Sequence, residues 1–436
     1  MSILFENCDI LAWKDGGFFP IRNGFLGVDG DTIDYIGAKK PSAKYDIVRD
    51  YSGRLLIPGL INCHCHAAMV LLRGVGSDLP LQEWLFDKVF PIEDRLTAED
   101  IIAGNELAMM EMIATGTTLF SDMYMEPATL VKSNEEIGMK VSLCTAVQSF
   151  DASEDPAQSD RIARSIRLHQ NYHNVQSGRV RIDFGVHAEY TCTDAVAKYY
   201  ADYVKTVPGA RMHIHLSETE KEQRECIERH GCTPAEWFER MGILDVPTGA
   251  AHCVWVTDGD IEILKRHGVS AVHNPTSNMK LGSGFAPIPQ LIERGINVAL
   301  GTDGAASNNN LNMFEEMHLS AILHNGYRRD PLLMKPETVL KMATVNGARL
   351  QGRDDTGALE VGKKADVVAV DFRGRAHLYP TFDPMTTLVY AAQGSDVSLT
   401  MVDGKILYED GKFMTLNPEK VIQNARAAVR RLYGEE

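Results

Sequence analysis

A chain of 436 residues, 44% hydrophobic and 24% charged, has room for an α/β barrel plus a small second domain and the composition of a soluble globular protein. Its formal net charge of −15 argues against nucleic acid or an anionic membrane as a partner, because a phosphate surface needs a basic patch. Met1–Asn7 lacks the basic-then-apolar order of an export signal, no run is long enough to span a membrane, and the eight cysteines form no CxxC pair, so a cytoplasmic protein without a disulfide framework is expected.

Residues 1–57 read as short strands and turns. Ile3–Trp13 alternates loosely, Gly24–Asp31 is a strand ending in a hairpin turn, and Tyr45–Tyr51 is another short strand. From Leu55 the pattern changes to apolar runs separated by longer segments of helical period. The runs are Leu55–Asn62, Thr117–Ser121, Val141–Val147, Val180–Val186, Arg211–Ile214, Gly249–Ala251, Ser270–Val272 and Asn297–Gly301. Ala98–Ala114 and Pro234–Met241 are two of the helical segments between them. Alternating strands and helices predict a parallel sheet, and eight such units predict a (β/α)₈ barrel. Ala365–Asp371 and Val397–Tyr408 return to a β pattern, with turns at Asp403-Gly404 and Asp410-Gly411, and Pro418–Leu432 reads as a closing helix. The fold class is therefore α/β. Residues 1–57 and 364–436 are expected to pair as one composite β domain beside a barrel of residues 58–363.

Polar residues recur where the apolar runs end. The first run leads into His64 and His66, whose spacing of two puts both imidazoles on one side of an extended chain and Cys63 and Cys65 on the other. The fourth ends in His187, the fifth in His215, the sixth in His252, the seventh in His273-Asn274-Pro275 and the eighth in Thr302-Asp303-Gly304. Only 14 residues are histidine, so their placement after four successive strands points to one site at the C-terminal face of the barrel. His64, His66, His215 and Asp303 form a donor set for one divalent metal, Zn²⁺ or Fe²⁺. A second metal would want a bridging lysine after the fourth run, and Val180–His187 has none. A bound metal would activate a water molecule. Asp303 is then placed to take its proton, His252 to hold the developing oxygen charge, and Glu218 to pass a proton to a ring nitrogen. The competing role for Glu218 is a charge at the N-terminus of a helix over Thr219–Arg229. His213 is expected to point away from His215 as a structural residue. His273, Asn274 and Asn278 are expected to shape the loop after the seventh strand.

Pro58–His66, His215-Leu216-Ser217-Glu218, Ala251-His252-Cys253, His273–Asn278, Gly301–Gly304 and Gly362–Asp366 occur in the order found in the amidohydrolase superfamily. Within it the chain resembles the methylthioadenosine/S-adenosylhomocysteine deaminases over nearly its whole length. The resemblance implies a distorted TIM-like barrel with a small composite β-sandwich domain, and hydrolytic removal of the 6-amino group of an adenosine-type nucleoside. It also implies substrate contacts: Trp84 packing on the 5′ substituent, Glu93 binding the ribose hydroxyls, and His187 near the purine or ribose. In one respect the chain departs from relatives that accept a homocysteine tail. Those tend to carry arginine near the end of the third strand, where Val141–Gln148 has Thr145; Arg161 and Arg164 lie in the next helix. The rival readings are a guanine, cytosine or triazine hydrolase on the same scaffold and a non-enzymatic metal-binding barrel. A small-molecule substrate is the expected partner, and a homo-oligomer is compatible with the sequence.

Overall fold

The computed structural model describes residues 1–434. The chain opens with β1 (Ser2–Lys14) and β2 (Gly17–Asp29) paired antiparallel, and β3 (Thr32–Gly37) follows on β2. Next, β4 (Ile47–Asp50) and β5 (Arg54–Pro58) run parallel to two successive stretches of β1. The Leu55–Asn62 run, expected as one strand, is two. Pro58 has no N–H for a ladder, and Gly59 turns where a Cβ would lie 2.1 Å from Thr118 Oγ1. Arg54–Pro58 therefore stays in the β part, and the barrel starts at β6 (Leu60–Cys65).

The barrel continues through β7 (Thr117–Met123), β8 (Lys140–Cys144), β9 (Ala146–Val147), β10 (Val180–Ile182) and β11 (Phe184–Val186). It is completed by β12 (Met212–Leu216), β13 (Thr248–His252), β14 (Ser270–His273) and β15 (Val298–Leu300). All neighbours are parallel, in two ladders: β6-β7-β8-β10 and β9-β11-β12-β13-β14-β15. The expected third and fourth strands are each broken once, at Thr145 and Asp183, and this is where one ladder gives way to the other. The first and last strands meet without a ladder. Asp303 N–H donates to His64 O at 2.9 Å, and Thr302 N–H donates to the Asn62 side-chain oxygen at 3.0 Å.

After the barrel, β16 (Val367–Asp371) pairs antiparallel with β5, and β17 (Val397–Val402), β18 (Lys405–Glu409) and β19 (Lys412–Phe413) extend the sheet. Both ends of the chain thus share a single nine-stranded sheet around a core that includes Phe5, Ile10, Leu26, Val367 and Leu399. The sheet folds back on itself: Ile33 N–H donates to Lys363 O, and Ala365 N–H donates to Asp31 O.

The closing helix, Pro418–Tyr433, departs from the expected division at residue 364. Its apolar positions Ala425, Ala428 and Leu432 recur at helical spacing and pack with Ala68, Leu71, Trp84 and Ile101, against the barrel helix Ala98–Ala114 rather than the sheet. Among the described residues, no helix is long and apolar enough to cross a membrane.

Candidate active site

The strand ends supply the site. His64 lies in β6 and His66 one residue past it; His215 lies in β12; His252 ends β13; and Asp303 sits in the turn after β15. A cavity of about 370 Å³ opens above them. It is lined by His66, Trp84, Glu93, His187, His215, Glu218, His252 and Asp303, and His64 lies fully buried at the same cluster. All nine site residues expected from the sequence are therefore gathered at this one place.

Asp303 Oδ1 is 3.4 Å from His64 Nε2 and 3.2 Å from His66 Nε2. The ligand atoms of His64, His66 and His215 lie within 4.8 Å of one another, as do those of His64, His252 and Asp303. His64 Nε2 is buried and, among the described residues, has no hydrogen-bond partner. A buried polar atom without a partner is costly, and here it faces other donor atoms. Burial pushes the His64 imidazole down to about 4 and holds His215 well below the ordinary histidine range, so both are neutral, as metal ligation requires. Burial raises the Asp303 carboxyl, but the stronger opposing pull of the close His64 and His66 rings and of charge on His66 and His252 holds it well below the usual carboxylate range. His66 differs: burial lowers it, but the Asp303 carboxylate beside it outweighs burial and raises it to about 9, so a metal must displace a proton there. Three imidazoles and one carboxylate fit a divalent transition metal.

The other ring nitrogens are also accounted for. His66 Nδ1 is 2.6 Å from Met123 O, His215 Nδ1 is 2.8 Å from His187 O, and His64 Nδ1 is 2.9 Å from His213 Nε2. The expectation that His213 turns away from His215 is wrong. Two positions apart on β12, they point the same way by the same period-two rule that pairs His64 with His66.

Glu218 has little part in starting the next helix, Glu220–His230. Thr219 Oγ1 caps it by accepting from Glu222 N–H, and the Glu222 carboxylate accepts from the backbone N–H of Ser217 and Glu218. The Glu218 carboxylate instead faces His252 Nε2 at 3.7 Å and accepts from Ser283 Oγ at 3.5 Å. Burial raises its pKa above the ordinary glutamate value. His252 is anchored at the far side of its ring, where Nδ1 is 2.8 Å from Asn278 Oδ1. Both His252 (φ +74°) and Asp303 (φ +61°) occupy the left-handed region, a strained backbone of the kind concentrated at functional sites.

Several contacts lay beyond sequence reasoning. Ser277 Oγ and Ser307 Oγ each donate to Asp303 Oδ2 at 2.7 Å, leaving Oδ1 for the histidines. Tyr124 Oη donates to Glu93 Oε1 at 2.7 Å. Trp84 Nε1 donates to Val75 O, which leaves its ring as a wall of the cavity. His187 Nδ1 is 3.2 Å from Thr191 Oγ1. Of these residues Ser277, like Asn278, had a visible cue in its place within the His273–Asn278 motif, which named no partner for it. Of the two arginines in the helix Asp160–Tyr172, Arg161 lines the cavity and donates to Gln148 O, whereas exposed Arg164 faces Glu126.

Comparison with known proteins bears on this arrangement. The Amidohydrolase family profile matches residues 55–407. A 5-methylthioadenosine/S-adenosylhomocysteine deaminase of Thermoanaerobacter pseudethanolicus is 42% identical over 99% of this chain and 99% of its own length. A 5′-deoxyadenosine deaminase of Methanosarcina mazei is also 42% identical, over 99% of this chain and 98% of its own. Among solved structures, an adenosine deaminase of Xanthomonas campestris with bound zinc superposes with a TM-score of 0.91 at 29% identity, covering 99% of this chain and 98% of that one.

Proposed function

Because this chain belongs to the amidohydrolase family, we propose that it is a metal-dependent aminohydrolase that deaminates an adenosine-type nucleoside, releasing ammonia and leaving the inosine analogue. The observation that carries this reading is one cavity holding a converged His64–His66–His215–Asp303 donor set, a protonatable Glu218 and, across from them, Glu93. A single divalent ion, best matched by Zn²⁺, would be held by those four residues, and when bound it supplies an activated water nucleophile.

The chain's own groups do the rest. Asp303 Oδ1 takes the proton of the attacking water and returns it to the departing amine, which leaves as ammonia, while Ser277 and Ser307 fix its other oxygen. His252, tied back by Asn278, presents Nε2 to the oxygen that adds to the amino-bearing carbon. Glu218 gives a proton to the neighbouring ring nitrogen, which makes that carbon electrophilic. Glu93, with one oxygen engaged by Tyr124, keeps the other for the ribose diol. Trp84 walls the 5′ side and His187 the sugar or base. Guanine, cytosine and triazine substrates have no ribose to occupy Glu93, and a structural metal site would need no proton carrier such as Glu218. The reaction suits a cytoplasmic enzyme of small-molecule metabolism.

A kcat/KM panel with adenosine, 5′-methylthioadenosine, 5′-deoxyadenosine and S-adenosylhomocysteine, read by ammonia release, tests the reading; no release from any of the four would refute it. Thr145 brings no charge to the cavity, so 5′-methylthioadenosine or adenosine should match or exceed S-adenosylhomocysteine. Arg161 supports a second reading, because among the described residues it is the only lysine or arginine lining the cavity. If S-adenosylhomocysteine leads and Arg161→Ala removes that lead alone, the tail carboxylate is read from this helix.

A further inference from the structure

The three histidines of the donor set share one device with a single exception. Each exposes Nε2 to the site and engages Nδ1 behind it. For His66 and His215 the engaged group is a backbone carbonyl, Met123 O or His187 O, which no substitution of a side chain removes. For His64 it is a side chain, His213 Nε2, at 2.9 Å. His64 is 0% exposed and His213 3%, so solvent water has no ready access to replace that acceptor.

We propose that His213 is a positioning residue for metal binding: it accepts the Nδ1–H of His64 and so fixes the tautomer in which His64 Nε2 carries the lone pair facing the ion. The proposal rests on the donor-set reading given above. The chemistry is strict. An imidazole that ligates through Nε2 carries its proton on Nδ1, and that N–H needs an acceptor. His213 supplies one only as the tautomer protonated on its own Nδ1, so the two rings hold each other in register. Loss of the acceptor leaves a buried N–H unpaired exactly when the metal is bound, and the cost falls on the bound state. Partners of this kind typically account for 10- to 100-fold in metal affinity.

The test compares His213→Phe, His213→Gln and His213→Asn in the full chain. The probe is Zn²⁺ itself, partitioned against a chromogenic chelator, with the Co²⁺ visible spectrum as a second readout of ligation. His213→Phe fills similar space without an acceptor and should bind Zn²⁺ about 10- to 100-fold more weakly, with altered Co²⁺ bands. Gln carries an oxygen about where Nε2 stands, whereas the shorter Asn does not reach, so His213→Gln should stay within a few fold of the parent and His213→Asn should follow His213→Phe. The Gln and Asn pair decides the question even if the Phe variant does not fold. Unchanged affinity in Phe and Asn, or equal losses in Gln and Asn, overturns the proposal, since mere packing would not follow reach. A parent chain that binds no metal overturns both this proposal and the donor-set reading, whereas a metal-binding parent with indifferent variants overturns this proposal alone.

Discussion

The carboxylate of Glu218 is spared helix capping because Thr219 performs it, and burial keeps its proton at higher pH than an ordinary glutamate would. Glu218→Gln should keep the metal and lose about 10²-fold or more in kcat, measured on metal-loaded protein. The sign of the pH effect follows from the raised pKa. The acid is protonated and competent below it, so kcat falls as pH rises through a value above the glutamate norm, and the residual rate of Glu218→Gln should lack that limb. At Glu93, Tyr124 holds one oxygen and orients the other. A site built to bind a hydroxyl rejects analogues that lack it. The preference for adenosine over 2′-deoxyadenosine should therefore shrink in Glu93→Ala and, by a smaller factor, in Tyr124→Phe; unchanged ratios in both would remove Glu93 from ribose recognition. The residues at the strand ends were legible because histidine is scarce and the strands are marked by their apolar runs. The hydrogen bonds from Ser277, Ser307 and Tyr124 were not, because a hydroxyl carries no periodic signal that names its partner.

The strands deliver these groups only because the last one approaches the first very closely. A Cβ at Gly301 would lie 2.6 Å from Asn274 Oδ1 and 2.9 Å from the His64 nitrogen of the backbone. Gly301→Ala should push the turn bearing Asp303 away from β6. We expect a loss of about 1–3 kcal/mol in stability, as for other overpacked sites, together with weaker metal binding; denaturant midpoints and chelator competition measure the two separately. The helix Ala98–Ala114, which starts behind a Thr97–Asp100 capping box, was readable to the residue, and Pro234–Arg240 and Pro418–Tyr433 to within one. The division of Leu55–Asn62 at Pro58-Gly59 was less so, because every residue of Arg54–Pro58 and Leu60–Cys65 is buried and hydrophobicity does not change across the boundary. The breaks at Thr145 and Asp183 also escaped notice, since they depend on which neighbour each half-strand pairs with.

Across the whole molecule, the donor set straddles the place where the barrel closes without a ladder: His64 and His66 belong to one ladder's edge, His215 to the other ladder, and Asp303 to the turn after β15. An ion bound there ties the two edges together. Removing it with a chelator should lower the Tm, and adding Zn²⁺ back should restore it. Free metal at a hundred times its Kd corresponds to about 2.7 kcal/mol of stabilisation. A Tm indifferent to the chelator would mean that closure depends on the protein alone. The pairing of the chain's two ends was foreseeable from their shared β pattern, but the docking of Pro418–Tyr433 on the barrel was not, because an amphipathic helix does not name its partner. The joining of β5 to β16 also has a consequence in time. A ribosome that has finished Pro58 must make the entire barrel before it reaches Val367, roughly 15–60 s at ordinary translation rates. Throughout that interval β5 presents a bare, apolar edge of the kind that pairs with other chains. The nascent protein is therefore most exposed to aggregation while its catalytic half is being built, and soluble yield should respond to chaperone supply during synthesis more than to the stability of the finished fold.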